Sequence, residues 1–198
     1  MRNRLIRALV VAVVAVVVVG VAMLLGERRV YDFHGTYFDP AAPASDFTLR
    51  SASGPVHLSD FAGKVVILYF GYTYCPDVCP TTLDHLARAL HAAGDPKDVQ
   101  VLFITVDPAR DTAGRMAQYV HQFDPAFIGL TSSPDTIDAV AKAYGIYHKK
   151  SGDSDTSYTV DHSATITVVG RKGMVRLLWP PDLTPQQMAQ DLTALRRR

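Results

Sequence analysis

The stretch Tyr69-Phe-Gly-Tyr-Thr-Tyr-Cys75-Pro-Asp-Val-Cys79-Pro80-Thr-Thr-Leu83 contains both cysteines of the 198-residue chain. Three residues separate the two cysteines, and the pair lies where an apolar run ends and an amphipathic helical pattern begins. A junction between a strand and a helix presents unpaired backbone N–H groups and the positive end of the helix dipole, which both stabilise a thiolate. The stretch therefore predicts a reactive thiol pair.

The elements on either side of this stretch predict an alternation of strands and helices. Residues 65–70 are a continuous apolar run, as in a strand that is buried on both faces, and residues 99–106 are predicted as a second buried strand. Helical patterns follow the cysteines, Asp111 and Ser133. Two further strands and a helix from Thr184 complete the chain. This order predicts parallel crossovers, then an antiparallel pair and a closing helix, which together describe a thioredoxin-like α/β sandwich.

The N-terminus differs from the rest of the chain. Residues 8–25 carry no charge, and with Leu5 and Ile6 they are long enough to cross a hydrocarbon core of about 30 Å. Three arginines precede the run, so the positive-inside rule places the short tail in the cytoplasm. A cleaved secretory signal is the alternative, and either segment would export the domain. We predict a cytoplasmic tail at 1–7, a single transmembrane helix as anchor at 8–26, a tether at 27–43 and the thioredoxin-like domain at 44–198.

The charge of the exported part argues against one class of partner. Three of the 20 basic side chains and none of the 19 acidic ones lie in residues 1–26, so the remainder carries a net charge of about −2. Nucleic-acid-binding domains carry a basic surface instead. The composition therefore predicts no nucleic-acid partner.

The spacing of the cysteines leaves metal binding and redox chemistry both open. A structural disulfide across so short a spacer would stabilise the fold little. Two thiolates favour soft, thiophilic ions such as Cu(I), Zn(II) or an iron–sulfur cluster. A cluster normally takes four cysteines and structural zinc takes four protein ligands, which disfavours both in a chain with two cysteines. Cu(I) needs only two or three ligands, so one histidine would complete its site.

Seven histidines are candidates for that third ligand. Six lie in the tether, on a predicted hairpin, on helices or in a solvated loop. His162 differs, because Val160-Asp-His-Ser-Ala164 is a tight junction between two predicted strands, where a side chain is held rigidly. Asp161 is considered as the acceptor that orients its imidazole, although neighbouring residues on a strand point apart. From the residues alone, a satisfied or surface histidine remains the alternative.

Four motifs give the chain its resemblance to a known family. They are Phe70-Gly-Tyr-Thr-Tyr-Cys-Pro-Asp-Val-Cys-Pro80, Val106-Asp-Pro-Ala-Arg-Asp-Thr112, Phe127-Ile-Gly-Leu-Thr131 and Val160-Asp-His-Ser-Ala164. Over residues 44–195 the chain resembles the Sco family, also called SenC, the proteins for synthesis of cytochrome c oxidase. The resemblance implies a thioredoxin-like fold and a copper ion held by Cys75, Cys79 and His162. It also implies a copper chaperone, anchored in the cytoplasmic membrane with its domain on the periplasmic side, that assembles the dinuclear copper centre of cytochrome c oxidase subunit II.

A second interpretation of the function stays open. Cys75 and Cys79 are also predicted as a redox-active pair that is able to close as a disulfide. The chain would then be a thiol–disulfide oxidoreductase that reduces the copper-site cysteines of the same subunit, so whether it is an enzyme remains undecided. Another copper carrier or a thiol reductant would be its further partner. A peroxidase has only the shared fold in its favour.

The motif around Arg110 contains charged residues that neither interpretation uses. Asp107 and Asp111 flank Arg110 and are interpreted as turn and cap residues. Ala113 and Thr167 depart from the usual pattern of the family. Neither departure concerns a proposed ligand, and both bear on the identity of the partner.

Overall fold

A computed structural model of the chain describes residues 7, 10, 12–17, 31–152 and 158–198. Residues 1–32 form one compact unit and residues 33–198 form another. In the first unit, residues 12–17 are helical. Among the described residues, no helix combines the length and the apolar composition that crossing a bilayer requires. Most of the anchor predicted at 8–26 lies outside the described residues.

The described residues of the second unit form ten strands and four α-helices. The strands are β1 Thr36–Pro43, β2 Thr48–Ser51, β3 Gly54–His57, β4 Val65–Gly71, β5 Val99–Thr105, β6 Ile128–Leu130, β7 His148–Ser151, β8 Thr159–His162, β9 Ile166–Val169 and β10 Met174–Trp179. The helices are α1 Val78–Ala92, α2 Ala113–Val120, α3 Pro134–Ala143 and α4 Pro185–Arg196. A 3₁₀ helix, Leu58–Phe61, follows β3.

A six-stranded sheet in the order β1-β10-β9-β4-β5-β6 forms the centre of this unit. Strands β4, β5 and β6 run parallel, whereas β9, β10 and β1 are joined by antiparallel pairings. Helix α1 packs against α4, and α2 packs against β6. The parallel units followed by an antiparallel pair and a closing helix confirm the thioredoxin-like arrangement predicted from the sequence.

Strand β4 is the central strand and carries the thiol pair at its end. Each of its seven residues is buried, and it pairs with β5 on one side and β9 on the other. A strand covered on both faces requires a continuous apolar sequence, which is why no polar residue interrupts this run. The loop that follows is therefore attached to the most enclosed strand of the domain.

The helices begin at residues whose side chains accept bonds from the first turn. Thr112 accepts from Arg115 N–H at the start of α2, and Ser133 does the same for Thr136 at α3. Thr184 and Gln187 form a reciprocal capping box on α4. The predicted starts of α3 and α4 are confirmed within one residue. Thr112 and Asp111 were both candidates for the N-cap of α2, and the structure shows that the cap is Thr112.

The tether predicted at 27–43 is in part a strand. Thr36–Pro43 forms β1, which pairs antiparallel with β10 at the edge of the sheet. Prolines are tolerated on an edge strand because the missing N–H groups can face away from the ladder. The strand was not predicted because the segment is rich in proline and its side chains show no apolar alternation.

A buried carboxylate fastens the segment before β1 to the domain. Asp191 on α4 has no exposed surface, and it accepts bonds from the backbone N–H groups of His34 and Gly35 and from Trp179 Nε1. His34 Nδ1 also lies 2.8 Å from the carboxylate. His34, which the sequence analysis placed in the tether, is thus part of the folded domain.

A small sheet, separate from the central one, consists of β7 and β8. The two strands run antiparallel, and His148 lies opposite His162. The sequence predicts a solvated loop at His148, and this prediction is wrong because His148 begins β7. Because Lys149 and Lys150 are exposed, this strand lacks the apolar alternation by which strands are recognised.

Candidate metal centre

The cysteine loop joins the end of β4 to the first turn of α1. The helix begins at Val78 with Asp77 as its N-cap. Cys79 therefore belongs to the first helical turn. Its backbone N–H points at Cys75 Sγ, 3.3 Å away, which is the interaction that a helix start offers to an anion.

His162 lies at the end of β8, and its ring is oriented by the backbone. Nδ1 lies 3.0 Å from the carbonyl oxygen of Ser163. A carbonyl oxygen only accepts hydrogen bonds, so Nδ1 carries the proton and the lone pair of Nε2 is free. The acceptor is thus a backbone carbonyl and not the carboxylate of Asp161, which the sequence analysis considered.

The structure brings the three predicted ligands together. Nε2 of His162 lies 3.6 Å from Cys79 Sγ, and the ligand atoms of Cys75, Cys79 and His162 all lie within 4.8 Å of one another. Cys79 is fully buried, and the other two are half-buried. Two sulfurs and one imidazole nitrogen at these separations could hold a metal ion. In the described ranges, no other three His, Cys, Asp or Glu side chains converge in this way.

The electrostatics of the site distinguish the two thiols. A hydrogen bond from Cys79 lowers the pKa of Cys75 to about 4 against the opposing effect of burial, with further help from the backbone amides of Cys79 and Asp77. The same hydrogen bond, together with burial, raises the pKa of Cys79. Cys75 is therefore the thiolate at neutral pH, and Cys79 is the thiol that donates to it.

Gly71 leaves the room that Cys79 occupies. A Cβ at this position would lie 2.8 Å from Cys79 Sγ and 2.7 Å from Cε2 of Phe103. Both neighbours are fully buried, so neither can move into solvent. Any residue other than glycine would displace the sulfur or the ring.

Aromatic side chains surround the histidine. The ring of Tyr72 meets that of His162 edge-on, with 6.0 Å between their centroids. The hydroxyl of Tyr72 accepts a bond from the backbone N–H of Val160. Tyr72 therefore connects the cysteine loop to the strand that carries the histidine. This role of Tyr72 is not predicted from the sequence.

Asp107 and Asp111, interpreted from the sequence as turn and cap residues, also bond to distant parts of the chain. Asp107 does bond within its turn, but it also accepts the hydroxyl of Tyr158 at 2.7 Å. Asp111 has no exposed surface, and its carboxylate accepts bonds from Thr73 and Thr105. Burial raises the pKa of Asp111 in spite of these bonds. These partners lie up to 51 positions away in the chain, so local sequence patterns carry no signal for them.

The fold and the site define a class of protein. The chain contains a thioredoxin-like domain in which two cysteines of the β4–α1 junction meet one histidine from a hairpin. The SCO1/SenC family model matches residues 36–197, and the chain therefore belongs to the SCO1/SenC family.

Relatives and solved structures agree with this assignment. The mitochondrial SCO2 homolog of Bos taurus is 43% identical over 139 residues, which are 68% of this chain and 52% of the relative. The chain thus spans about half the length of this relative. Apo Sco1 of Thermus thermophilus has a TM-score of 0.74 and 39% identity, over 85% of this chain and 98% of that one. ScoI of Bradyrhizobium japonicum with copper bound has a TM-score of 0.71 and 38% identity, over 78% and 99%.

Proposed function

We propose that the protein is a copper chaperone that binds a copper ion through Cys75, Cys79 and His162. It delivers this ion to the dinuclear copper centre of cytochrome c oxidase subunit II. The observation that carries the proposal is the convergence of two sulfurs and one imidazole Nε2 within 4.8 Å. Membership of the family supports the role in oxidase assembly, and the relative with copper bound supports the metal.

The donor set favours Cu(I) among thiophilic ions. Thiolates are soft ligands, and Cu(I) is satisfied by two or three of them together with imidazole. Cys75 is held as a thiolate before any metal arrives, so binding needs the removal of a proton from Cys79 alone. Because Cys75 and His162 are only half-buried, an incoming thiol of a partner can reach the ion.

A titration tests this proposal. The reduced, metal-free chain is titrated with Cu(I) in competition with a chromophoric chelator, with His162→Ala and His91→Ala as variants. We expect His162→Ala to weaken binding by about tenfold or more, at least about 1.4 kcal/mol. His91→Ala removes an exposed imidazole at the end of α1 opposite to Cys79, and this variant should bind copper like the parent. If His162→Ala bound copper as tightly as the parent protein, the three-ligand site would be wrong.

The second candidate function is reduction of the copper-site cysteines of the same subunit. The observation in its favour is the division of the pair into a thiolate, Cys75, and a thiol, Cys79. Cys75 would attack one sulfur of the partner disulfide and release the other sulfur as a thiolate, which gives a mixed disulfide. Cys79 would then lose its proton and attack Cys75 Sγ, which closes the Cys75–Cys79 disulfide and releases the second partner thiolate. Two electrons pass to the partner, and an external thiol reductant restores the dithiol.

Copper dependence separates the two functions. The reductase predicts that a partner disulfide is reduced in the presence of a copper chelator and that His162→Ala is as active as the parent. A strict requirement for copper would exclude it. The two functions are compatible, since the thiols of the partner must be reduced before they bind metal.

The location is part of the proposal. We propose that residues 8–26 anchor the chain in the cytoplasmic membrane and that the thioredoxin-like domain lies on the periplasmic side. The apolar run and the three arginines before it support this orientation. A membrane-impermeant maleimide should label Cys75 in right-side-out vesicles, whereas labelling only in inverted vesicles would contradict the orientation. Resistance of the chain to carbonate extraction separates an anchor from a cleaved signal.

A further inference from the structure

The two ligand-bearing segments of the site belong to different sheets. The cysteine loop continues from the central strand β4, whereas His162 lies on the β7–β8 hairpin, which forms a sheet of its own. A two-stranded hairpin is marginally stable without further contacts. Backbone pairing with the central sheet therefore does not hold the histidine directly. Residues 163–165 connect it to β9 of that sheet, and side-chain contacts have to set the rest of its distance from the cysteines.

The loop between β5 and α2 lies between these two segments. On the side of the cysteine loop, the buried carboxylate of Asp111 accepts bonds from Thr73 N at 3.0 Å, Thr73 Oγ1 at 2.5 Å and Thr105 Oγ1 at 2.7 Å. These three bonds fix the backbone two residues before Cys75. The loop is thus attached to the cysteine side through one carboxylate.

On the side of the histidine, Arg110 and Asp107 hold a single residue, Tyr158. The guanidinium carbon of Arg110 lies 3.6 Å from the centroid of the Tyr158 ring, and Nη1 donates to the Tyr158 carbonyl at 3.1 Å. Asp107 accepts the Tyr158 hydroxyl through one oxygen and Arg110 Nε through the other. Tyr158 directly precedes β8, whose last residue is His162.

Arg110 also contacts the cysteine loop. Its guanidinium carbon lies 4.5 Å from the ring centroid of Tyr74, which is the neighbour of Cys75. Nη2 is buried and has no hydrogen-bond partner among the described residues. Stacking on aromatic rings uses the planar face of a guanidinium, which a lysine ammonium lacks. One side chain therefore touches both segments that carry the donors.

Other contacts hold the hairpin, but they lie elsewhere. His148 Nε2 lies 3.2 Å from Asp138 on α3. The backbone N–H of Ser163 donates to the carbonyl oxygen of Tyr147, and the Ser163 hydroxyl accepts from the backbone N–H of Tyr147. These contacts fix the hairpin to the segment around α3. Among the described residues, Arg110 and Tyr72 contact both the cysteine loop and the segment that carries the histidine.

We propose that Arg110, held by Asp107, is a positioning residue that sets the separation between His162 and the cysteine pair. This inference rests on the copper site of the proposed function and deepens it. Without Arg110, the two thiolates would remain on the β4–α1 junction, and the histidine would no longer be held at bonding distance. Copper would then be bound by the cysteines alone.

A double-mutant cycle with His162 tests the inference. The reduced chain is prepared as parent, Arg110→Ala, His162→Ala and the double variant, and Cu(I) affinity is measured by chelator competition. We expect Arg110→Ala to lose about ten- to a hundredfold in affinity, the range found for residues that orient a metal ligand. If Arg110 acts through the histidine, the double variant should bind no more weakly than His162→Ala.

Two further measurements report on the position of the histidine itself. X-ray absorption of the Cu(I)-loaded chain should show a nitrogen ligand in the parent and none in Arg110→Ala. In the metal-free reduced chain, the nuclear Overhauser effect between the rings of Tyr72 and His162 should be present in the parent and lost in the variant. Arg115→Ala is the matched control, because Arg115 also lies over the Tyr74 ring, at 4.9 Å, and is exposed on α2. It should behave like the parent.

The conservative variants keep the inference testable if Arg110→Ala fails to fold. Arg110→Lys retains the charge without the planar stack, and Tyr158→Phe removes only the hydroxyl that Asp107 accepts. Each should give an intermediate loss of affinity. Parent affinity and an intact nitrogen ligand in Arg110→Ala, or in Arg110→Lys where alanine does not fold, would overturn the inference. Absence of a nitrogen ligand in the parent would instead overturn the proposed function.

Discussion

Replacing Gly71 by alanine should damage the metal site and the core together. The added Cβ would lie 2.8 Å from Cys79 Sγ and 2.7 Å from Phe103 Cε2. Non-bonded carbon contacts are optimal at about 3.5–4.0 Å, so the neighbours must move by about 0.7 Å or more. Because both neighbours are fully buried, this movement strains the core, and overpacking of this kind costs about 1–3 kcal/mol.

The same displacement moves one of the three donors. A ligand constellation has to be held within about 0.5 Å of its productive geometry. We therefore expect Gly71→Ala to lower the Cu(I) affinity as well as the free energy of unfolding. Denaturant unfolding of the reduced metal-free chain measures the second quantity, and chelator competition measures the first.

A second glycine provides the control for this experiment. A Cβ at Gly114, in the first turn of α2, meets no atom within 4 Å, and alanine is favoured over glycine in helices by up to about 1 kcal/mol. Gly114→Ala should be as stable as the parent or slightly more so, with unchanged copper affinity. The steric reasoning is refuted if Gly71→Ala retains both the stability and the copper affinity of the parent.

Three further predictions concern charged or reactive side chains. Iodoacetamide should alkylate Cys75 and spare Cys79 at pH 6. Because the pKa of Cys75 is lowered to about 4, the reaction should stop as the pH falls through about 4. Mass spectrometry after digestion locates the adduct. Arg196 bonds Asp98 and lowers the pKa of that carboxyl to about 2 from 3.8. The ionised carboxylate should therefore stabilise the folded state by about 2 kcal/mol above pH 4, and this contribution should be lost as the pH falls toward 2. Unfolding of Asp98→Asn as a function of pH checks this, and a difference from the parent that stays constant down to pH 2 would contradict it. Asp191→Ala removes the acceptor from several buried donors and should lower the free energy of unfolding by about 3–5 kcal/mol. An intact Cu(I) affinity in the folded variant would confirm that this residue acts on stability alone.

The central part of the fold could be predicted because its signals are local. The short apolar run of β4, rich in β-branched and aromatic residues, is typical of a strand buried on both faces, and the amphipathic spacing after Cys79 is typical of a helix with one buried face. The thiol pair at their junction follows directly. The prediction failed at β1 and β7, whose residues lack an apolar alternation because one strand lies at an edge and the other in a separate hairpin.

The candidate site was predictable only in part for a related reason. The cysteines and the strand-end position of His162 are visible in the chain, and their proximity is a consequence of topology. The roles of Asp107, Arg110 and Asp111 depend on contacts with residues that lie 38 to 51 positions away or belong to another sheet. The local sequence predicts correctly that these residues form a turn. It contains no information on the distant residues that their side chains contact in the folded chain.

The separation of the β7–β8 hairpin from the central sheet has a consequence for exchange kinetics. Amide hydrogens of β4, which is buried along its length and paired on both sides, should exchange with solvent only through global unfolding. The hairpin has few buried residues and should open by itself at a much smaller free energy. A copper ion in this site would therefore be bound by two donors that never leave in the native ensemble and one that leaves whenever the hairpin opens. The lifetime of the third bond is then set by a local fluctuation, so the ion can be released while the rest of the domain remains folded.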